Sequence, residues 1–409
     1  MADRYPCGTP TRRSFLSAMA AAVPIIEGYR TVSASEPSPL IHVPGTLAEN
    51  LGIPGPYPGR VIEVRNKTMS SDPKTKNREA IKQTLARGMK ELTGADDDVQ
   101  AWRRFFEPGD VVGIKVVPNG FPLAPTSPEL VLEVIEGLKA AGVKTKDMFV
   151  YDRYRGEFMG PGYEKVLPSD IRWGGLTPGG GSQTTLEFPE AKDDPTAGYD
   201  RDEFVHMDIV NSGDDPKDDR NFRSHLGTLV TKRVNKLVML PCLKDHGSAG
   251  VTGALKNISH GSVNNVARSH STPDTNVCNQ FIPNVVNHPI LRKKVVLHIM
   301  DGITGIFNKG PFGNIPEFAW TYNALFFATD PVAMDRVEWN IIDAKRKEKN
   351  LPPVAATGRD ALDPLNTEGF AVRQPQHITL AASLGLGIAD FKSPRGRRFS
   401  INHQVVNLA

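Results

Sequence analysis

Residues 244–262 read KDHGSAGVTGALKNISHGS and combine groups that can hold an anion, a metal or a proton. Lys244 and His246 follow an apolar run, and the glycines after them would let backbone amides approach a ligand. The imidazole has an ordinary pKa of about 6.5, so His246 could act as an acid, a base or a metal ligand. A helix predicted to start at Ala254 would direct its first amides at an anion, with Lys256 beside them. The alternative is a glycine-rich surface loop with solvated lysines.

Three aspartates stand near other apolar runs. Asp301 follows residues 295–300 and precedes a glycine, which suits a metal ligand or a general base and equally suits the capping of a turn. Asp330 precedes Pro331, the pattern of a helix cap with a proline in the first turn, so a structural role competes with metal binding. Asp335 could take part in the site or face solvent. Both alternatives stay open for each aspartate.

The clearest folding unit is a strand, a helix and a second strand. Residues 110–117 are a run of mostly β-branched side chains, typical of a strand that is buried on both faces. Ser127, followed by proline and glutamate, predicts a helix start, and the helix should end at Ala141 before Gly142. A second strand is predicted at residues 148–151. This order predicts a parallel, right-handed crossover, and hence an α/β fold.

Other apolar runs extend this fold into a mostly parallel sheet with flanking helices and long Gly/Pro-rich loops. Strands are predicted at residues 60–64, 204–210, 236–240, 295–300 and 325–328, and a further helix at 77–92. Ligands of open parallel sheets bind beyond the carboxyl ends of the strands. Polar side chains follow several of the predicted strand ends, namely Asp152, Lys244, His246, Asp301 and Asp330.

We therefore predict one site at this edge of the sheet. Lys115, Lys244 and Lys256 would bind a small anionic molecule. His246 would act as an acid, a base or a metal ligand, and Asp301 as a metal ligand or a base. Redox or proton-transfer chemistry assisted by a divalent metal ion is the preferred reaction of such an enzyme. The alternative from another class is a non-catalytic periplasmic binding or scaffold protein, in which the lysines still hold an anion.

Composition limits the other function classes. The 409 residues are 39% hydrophobic and 23% charged, which are ordinary globular values. The net charge of +3 argues against nucleic acid as the main partner. The basic run at residues 392–398 is interpreted as a solvated surface turn. We predict a single large α/β domain at residues 60–409, with a loop-rich insertion at about 161–200 and a linker or extended arm at 35–59.

Residues 1–34 resemble a twin-arginine export signal. Arg12 and Arg13 precede Ser-Phe-Leu, a weakly apolar run follows at residues 18–26, and small residues at 32–34 suit a signal peptidase. The apolar run is too short to span a bilayer, which takes about 20 residues. The prediction is export by the twin-arginine machinery to the periplasm or the outside, with no membrane span in the mature chain. The alternative is a chance arginine pair in a frayed terminus.

The cysteines limit which cofactors this chain can hold. Cys7 would leave with the signal, so Cys242 and Cys278 remain. An iron–sulfur cluster normally takes four cysteine ligands, and this chain's own cysteines therefore exclude one. In an oxidising compartment the two cysteines could form a disulfide, and the alternative is two unpaired buried thiols. Because the twin-arginine route carries folded proteins, often with a cofactor, it favours a bound metal or organic group.

Several motifs in order from about Val61 to Leu386 resemble the family called domain of unknown function 362. They are Gly113-Ile114-Lys115 with Asn119, Thr126-Ser127-Pro128-Glu129, Lys244-x-His246, Thr252-Gly253-Ala254-Leu255-Lys256-Asn257, Asp301-Gly302, Gly310-Pro311 and Asp330-Pro331-Val332-Ala333-x-Asp335. The motif positions Asn119, Thr252 and Asn257 complete the predicted substrate-binding set. The resemblance implies a bacterial or archaeal family without a settled activity, some members of which carry ferredoxin-like modules.

A shorter likeness concerns residues 246–270. His246-x-x-Ala249-Gly250-x-Thr252-Gly253-x-x-Lys256, with Gly261 and His270, is similar to a segment of the nickel-pincer lactate racemase. That likeness implies Lys256 as the attachment point of the cofactor, His270 as a metal ligand and His246 as a proton carrier. Leu255 stands where the racemase has an arginine. A racemase or epimerase is therefore a further alternative.

Overall fold

The structure is a computed structural model that describes residues 47–178, 194–210, 213–269, 276–356, 373–392 and 400–408. The strands are β1 Arg60–Arg65, β2 Val112–Lys115, β3 Met148–Tyr154, β4 Arg172–Thr177, β5 Tyr199–His206, β6 Arg223–Gly227, β7 Lys236–Met239, β8 Cys242–His246, β9 Gly250–Val251, β10 Val295–Ile306, β11 Ala319–Ala328 and β12 Asn402–Asn407. The helices are α1 Arg78–Thr93, α2 Asp98–Arg103, α3 Pro128–Ala141, α4 Arg155–Phe158, α5 Tyr163–Val166, α6 Gly253–Ser262, α7 Cys278–Val286, α8 Pro289–Lys294, α9 Pro331–Glu348 and α10 His377–Ser383.

The predicted strand–helix–strand unit is present as β2, α3 and β3. The two strands pair in parallel, with Val112 opposite Met148. Pro128 occupies the first turn of α3, and the helix ends at Gly142 in a left-handed conformation with φ of 103°. Because glycine adopts that conformation without a steric penalty, the chain can turn there toward the next strand, which begins at Met148. The local signals of this unit were therefore sufficient to predict it.

The main sheet is mostly parallel, as predicted. Its strand order is β12-β1-β11-β10-β7-β2-β3-β4, and β8 joins it through β10. Along this path β10, β7, β2, β3 and β4 pair in parallel. Of the strands that the structure describes on this path, only β11 runs against both of its neighbours, β10 and β1. The carboxyl end of β11 therefore lies at the opposite edge from the carboxyl ends of the parallel strands.

Helices cover both faces of the sheet because successive strand residues are apolar on both sides. In β7, Leu237 and Met239 join one core, and Val238 joins the other. The first core also contains Phe281 of α7, and the second contains Val134 of α3. The sheet is thus buried on both faces, and its parallel strand ends are the place left open to a ligand.

Three predicted boundaries differ from the structure. The strand predicted at 204–210 overlaps only the end of β5, Tyr199–His206, which pairs with β6 in a separate two-stranded sheet. The stretch 161–200, predicted as a loop-rich insertion, contains β4, which pairs with β3 in the main sheet. Residues 295–306 form one long strand, β10, so the predicted strand end at Met300 lies inside it.

The described part of the predicted linker or arm packs on the domain. The Ile53 amide donates to Arg292 O, and the Gly59 amide donates to Asp330 Oδ2 at 2.8 Å. An extended arm therefore describes residues 47–59 better than a free linker does. Among the residues of the structure, no helix combines the length and the apolar character needed to cross a membrane.

Candidate functional site

A cleft of about 450 Å³, counting space open to solvent, lies where the carboxyl ends of β2 and β3 meet α6. Five residues that the sequence predicted as site residues line it, namely Lys115, Asn119, Thr252, Lys256 and Asn257. Asp152, Arg153, Glu157 and His260 line it as well. The fold thus brings together, at the predicted edge of the sheet, side chains that are up to 142 residues apart in the sequence.

Lys115 organises the floor of the cleft. Its ammonium group donates to Asp152 Oδ1 at 2.5 Å, to Val116 O at 2.7 Å and to Asn257 Oδ1 at 3.0 Å. An ammonium has three hydrogens, so these contacts occupy all of its donors. Lys115 lines the cleft with its ammonium engaged by protein acceptors, and direct substrate binding by Lys115 stays a prediction. Lys115 positions Asp152 and Asn257 and adds positive charge beneath the cleft.

Asn257 offers a free donor to the cleft. Its Oδ1 accepts from Lys115, which fixes the orientation of the amide, and its Nδ2 is buried without a hydrogen-bond partner. Leaving a buried polar group unsatisfied costs about 1–3 kcal/mol. A ligand oxygen in the cleft would satisfy this donor, so the arrangement is suited to an anion or a carbonyl group.

Lys256 is the second free donor. Its side chain lines the cleft, only 8% of the residue is exposed, and its Nζ forms no hydrogen bond or ion pair within the described residues. Burial lowers the pKa of Lys256 from 10.5 to about 7, and the positive charges of Arg153 and Lys244 act in the same direction. Near neutral pH a substantial fraction of this amine is therefore unprotonated and able to accept a proton.

Lys244 orients Asn119 by a hydrogen bond. Its Nζ is fully buried and donates to Asn119 Oδ1 at 2.7 Å. Burial lowers the pKa of Lys244. Because the lysine holds the oxygen of the amide, Asn119 presents its NH₂ group as the other end of that side chain. Lys244 thus orients a cleft residue instead of lining the cleft itself.

Arg153 and Glu157 add a guanidinium and a carboxyl to the lining of the cleft. Arg153 Nη1 donates to His260 O at 3.0 Å, which joins the end of β3 to α6. Glu157 is exposed as a residue, but desolvation of its carboxyl and the negative charge of Asp152 raise its pKa. The cleft therefore contains an amine that can accept a proton and a carboxyl that can supply one.

The position of α6 is set by α9. Asp335 accepts from the Ala254 amide at 2.5 Å and from the Leu255 amide at 2.9 Å, so the first amides of α6 are already occupied. Those amides are therefore not free to hold an external anion, because the Asp335 carboxyl already accepts from both. A Cβ at Gly261 would lie 2.3 Å from Lys115 Cε, so a larger residue there would displace the Lys115 side chain.

His246 lies outside the cleft lining. It closes β8, and its Nδ1 accepts from the amides of Ser248 at 3.0 Å and Ala249 at 3.1 Å. An imidazole nitrogen that accepts two N–H groups carries no proton, so the ring supports the turn toward β9 through that nitrogen. The structure therefore does not bring His246 together with Lys256 in the cleft, and its predicted catalytic and metal roles have no support from this geometry.

Asp301 and Asp330 serve backbone amides. Asp301 Oδ2 accepts from the amide and the hydroxyl of Ser127, at 2.8 and 2.6 Å, and Oδ1 accepts from the Ile303 amide at 3.0 Å. Asp330 caps α9 through the Ala333 amide and also accepts from the amides of Gly59 and Ile388. Because β11 is antiparallel, Asp330 lies at the other edge of the sheet, away from the cleft.

The predicted metal set is not assembled. In the part of the chain that the structure describes, no group of three or more His, Cys, Asp and Glu side chains is placed to hold a metal ion. His270, the fourth predicted ligand, lies outside the described residues. The contacts of His246, Asp301 and Asp330 instead explain why the sequence has polar residues at these positions.

Cys242 and Cys278 are two buried free thiols, the second of the alternatives that the sequence left open. Burial raises the pKa of each thiol to about 12. Cys242 Sγ lies 3.5 Å from Thr126 Oγ1, and Cys278 Sγ donates to Ser269 O at 3.5 Å. Both sulfurs are therefore protonated packing groups near neutral pH.

Sequence reasoning missed Arg153, Glu157 and His260 as cleft residues. Arg153 and Glu157 follow Asp152, the polar residue at the end of a predicted strand. Their proximity in sequence to that strand end was the available signal. His260 lies one helical turn beyond Asn257 on α6, so helical spacing of three residues placed both on one face.

Comparisons with known proteins give a family for part of the chain. Residues 204–340, about a third of the chain, match the family model described as Domain of unknown function (DUF362), which confirms the resemblance in that segment. The matched segment includes Lys244, Thr252, Lys256 and Asn257 but not Lys115. No curated protein matches the chain.

One solved structure is similar over part of its length. It is the crystal structure of a protein from Thermotoga maritima, a target of the Northeast Structural Genomics Consortium, with 10% sequence identity and a TM-score of 0.32. The match covers 59% of this chain and 54% of that chain, so this chain spans about half the length of that protein. At this TM-score the likeness carries no argument about function.

Proposed function

On the premise that residues 204–340 make this chain a member of the DUF362 family, whose description names no activity, we propose an exported enzyme that binds a small anionic molecule in the cleft. Lys256 is the group that moves a proton to or from the bound molecule. The observation that carries this proposal is the buried Nδ2 of Asn257, which has no hydrogen-bond partner and belongs to a residue that lines the same cleft as Lys256.

Binding follows from charge and free donors. Lys115, Lys244 and Arg153 surround or line the cleft, and Asn257 adds its unsatisfied donor. A ligand oxygen that accepts from Asn257 supplies the hydrogen bond that its Nδ2 lacks in the folded chain. A negative ligand also lowers the electrostatic cost of burying the nearby cations.

Proton transfer follows from the state of Lys256. A group that only binds anions gains from a permanent charge, whereas an amine with a pKa of about 7 is partly neutral at working pH. General acid–base groups are most effective when their pKa lies near the operating pH. This feature favours an enzyme over the alternative of a non-catalytic binding or scaffold protein.

The binding test compares lysine variants by thermal unfolding and calorimetry with sulfate, phosphate and small carboxylates. Lys256→Met and Asn257→Ala should each weaken anion binding by about tenfold or more, since a hydrogen bond to a charged group contributes about 1.5–3 kcal/mol. Lys139→Met is the matched control, because Lys139 is exposed on α3 and forms an ion pair with Glu136. Equal anion affinity in all variants would contradict the proposed site.

The catalytic test measures exchange of carbon-bound hydrogen of each bound carboxylate with deuterated water by NMR. The wild-type protein should catalyse exchange for at least one carboxylate, and Lys256→Arg should abolish it while keeping most of the affinity. Binding without exchange in the wild-type protein would support the binding-protein alternative.

Export is the second part of the proposal and is supported by the sequence of residues 1–34. Replacing both Arg12 and Arg13 by lysine should keep the full-length chain inside the cell. Fractionation and the mass of the mature N-terminus, expected near Ser35, measure this outcome. An unchanged distribution would contradict twin-arginine export.

The metal-assisted and racemase versions receive less support. Asp301 and Asp330 are engaged with backbone amides, and of the residues that the racemase likeness implies, Lys256 lies in the cleft whereas His246 does not. The described residues therefore do not fit a nickel-pincer group. Elemental analysis of the exported protein tests any metal directly.

A further inference from the structure

We propose that the cleft takes a small carboxylate bearing an aldehyde or ketone group, and that Lys256 Nζ forms an imine with the carbonyl carbon. This inference rests on the proposed anion-binding function and adds to it the substrate class and a covalent step. It is carried by the contrast between Lys256 and the two other lysines of the site.

Imine formation needs an amine with a free lone pair. Lys115 cannot supply one, because its three donors are engaged and it forms an ion pair with Asp152. Lys244 is fully buried behind Asn119. Lys256 lines the cleft and has no partner within the described residues. A desolvated amine near other cations is the usual arrangement of a nucleophilic lysine.

Recognition of the carboxylate is available beside this amine. Asn257 Nδ2 is unsatisfied, and Asn119 presents an NH₂ group whose oxygen is held by Lys244. Because Asp335 occupies the first amides of α6, the ligand must be held by these side chains instead of a helix terminus. Amide N–H groups next to positive charge are suited to the oxygens of a carboxylate.

The covalent step needs a proton carrier, and Glu157 is in place at the rim of the cleft. The Nζ lone pair forms a C–N bond with the carbonyl carbon, and the carbonyl π electrons move to oxygen, which takes a proton from the Glu157 carboxyl. The nitrogen then returns a proton to the carboxylate. The same carboxyl protonates the hydroxyl group, the C–O bond breaks, water leaves, and the nitrogen lone pair completes the C=N bond. One water is released and nothing is oxidised or reduced.

Reductive trapping tests the inference. The purified full chain is incubated with pyruvate or glyoxylate and sodium cyanoborohydride at neutral pH, and the modified lysine is mapped by peptide mass spectrometry. We expect one reduced adduct, on Lys256, to form at least tenfold faster than adducts on exposed lysines such as Lys139. Lys256→Arg should lose this adduct, and Lys139→Arg should retain it. Mapping of the wild-type chain needs no variant, so the test does not depend on the folding of Lys256→Arg.

Propanoate, which lacks the carbonyl group, separates the two proposals. If propanoate stabilises the protein and competes with the adduct, both the anion site and the imine are supported. If propanoate binds but pyruvate and glyoxylate leave Lys256 unmodified, the imine is overturned and the anion-binding function stands. If modification simply follows lysine exposure, the imine is overturned whether or not propanoate binds. If propanoate also fails to bind, the anion-binding function fails with it.

Discussion

The two edges of the sheet use buried polar residues in opposite ways. At the edge where β2 and β3 end, Asn257 keeps an unsatisfied donor and Lys256 keeps a free amine. At the other edge, where β11 ends, Asp330 accepts from amides of three separate segments, at Gly59, Ala333 and Ile388. The first set has hydrogen-bonding capacity left for a ligand, and the second has its oxygens committed to the fold.

This contrast gives a physical criterion for separating function from structure. A charged residue after a strand is expected at binding sites and at helix caps alike. The two cases differ in whether backbone groups already use the side chain. By that criterion Asp301, Asp330 and Asp335 are structural, while Lys256 and Asn257 are the candidates for chemistry.

The largest effect on stability should come from Asp330, at the edge where β11 ends. In Asp330→Asn, an NH₂ group replaces an oxygen that accepts from backbone N–H groups, so donors face each other in a buried place. We expect a loss of about 4 kcal/mol in the free energy of unfolding, measured by urea denaturation. Anion binding by the folded fraction should stay unchanged, because Asp330 does not line the cleft. A loss below about 1 kcal/mol would contradict the interpretation that Asp330 stabilises the fold through these backbone amides.

An intermediate effect should come from Lys256→Met, and its sign depends on pH. The pKa of Lys256 is about 7 in the folded chain and 10.5 when exposed, so between these values the unfolded chain binds more protons. The wild-type protein therefore gains stability from this group as pH rises through that window, and below pH 7 it bears the full cost of a buried charge. Methionine removes this cost. We therefore expect the free energy of unfolding of the variant, relative to that of the wild-type protein, to be about 2–3 kcal/mol higher at pH ~6 than at pH ~10.

Unfolding curves of both proteins across this pH range measure the difference. Lys139→Met provides the matched control, since its exposed ammonium should give no such trend. A pH-independent difference between Lys256→Met and the wild-type protein would mean that Lys256 is an ordinary solvated lysine. Lys256 would then no longer distinguish the edge where β2 and β3 end from the edge where β11 ends.

Much of the fold could be predicted because its signals are local. Ser127 and Gly142 mark the ends of α3 in the sequence, and the apolar run before Lys115 predicts a buried strand. The same edge-of-sheet argument named Lys115, Lys256 and Asn257, which the structure brings to one cleft. Their catalytic and binding roles stay predictions.

The direction of β11 could not be predicted, and this is why Asp330 was placed at the wrong edge. An apolar run predicts a strand but not whether its neighbours run parallel to it, since that depends on pairing with distant segments. The role of Asp335 had the same difficulty. Its partners, the first amides of α6, lie about 80 residues away in the sequence.

The smallest effect should come from Ser127→Ala, which tests whether Asp301 is structural. Ser127 stands at the start of α3, but its side chain caps no amide of that helix; its hydroxyl donates to Asp301 Oδ2 at 2.6 Å. The variant keeps the backbone N–H bond to the same oxygen, so only one hydrogen bond is lost. We expect a loss of about 1 kcal/mol in the free energy of unfolding, measured by thermal or urea denaturation.

Anion affinity and any adduct on Lys256 should not change in Ser127→Ala, because neither Ser127 nor Asp301 lines the cleft. If the variant instead lost the exchange activity while keeping its stability, Asp301 would have to act on the bound molecule. Hydrogen bonding to backbone groups would then no longer be sufficient to separate structural polar residues from functional ones. An effect on stability without one on exchange would place Asp301 with Asp330 among the residues that hold the sheet and its helices together.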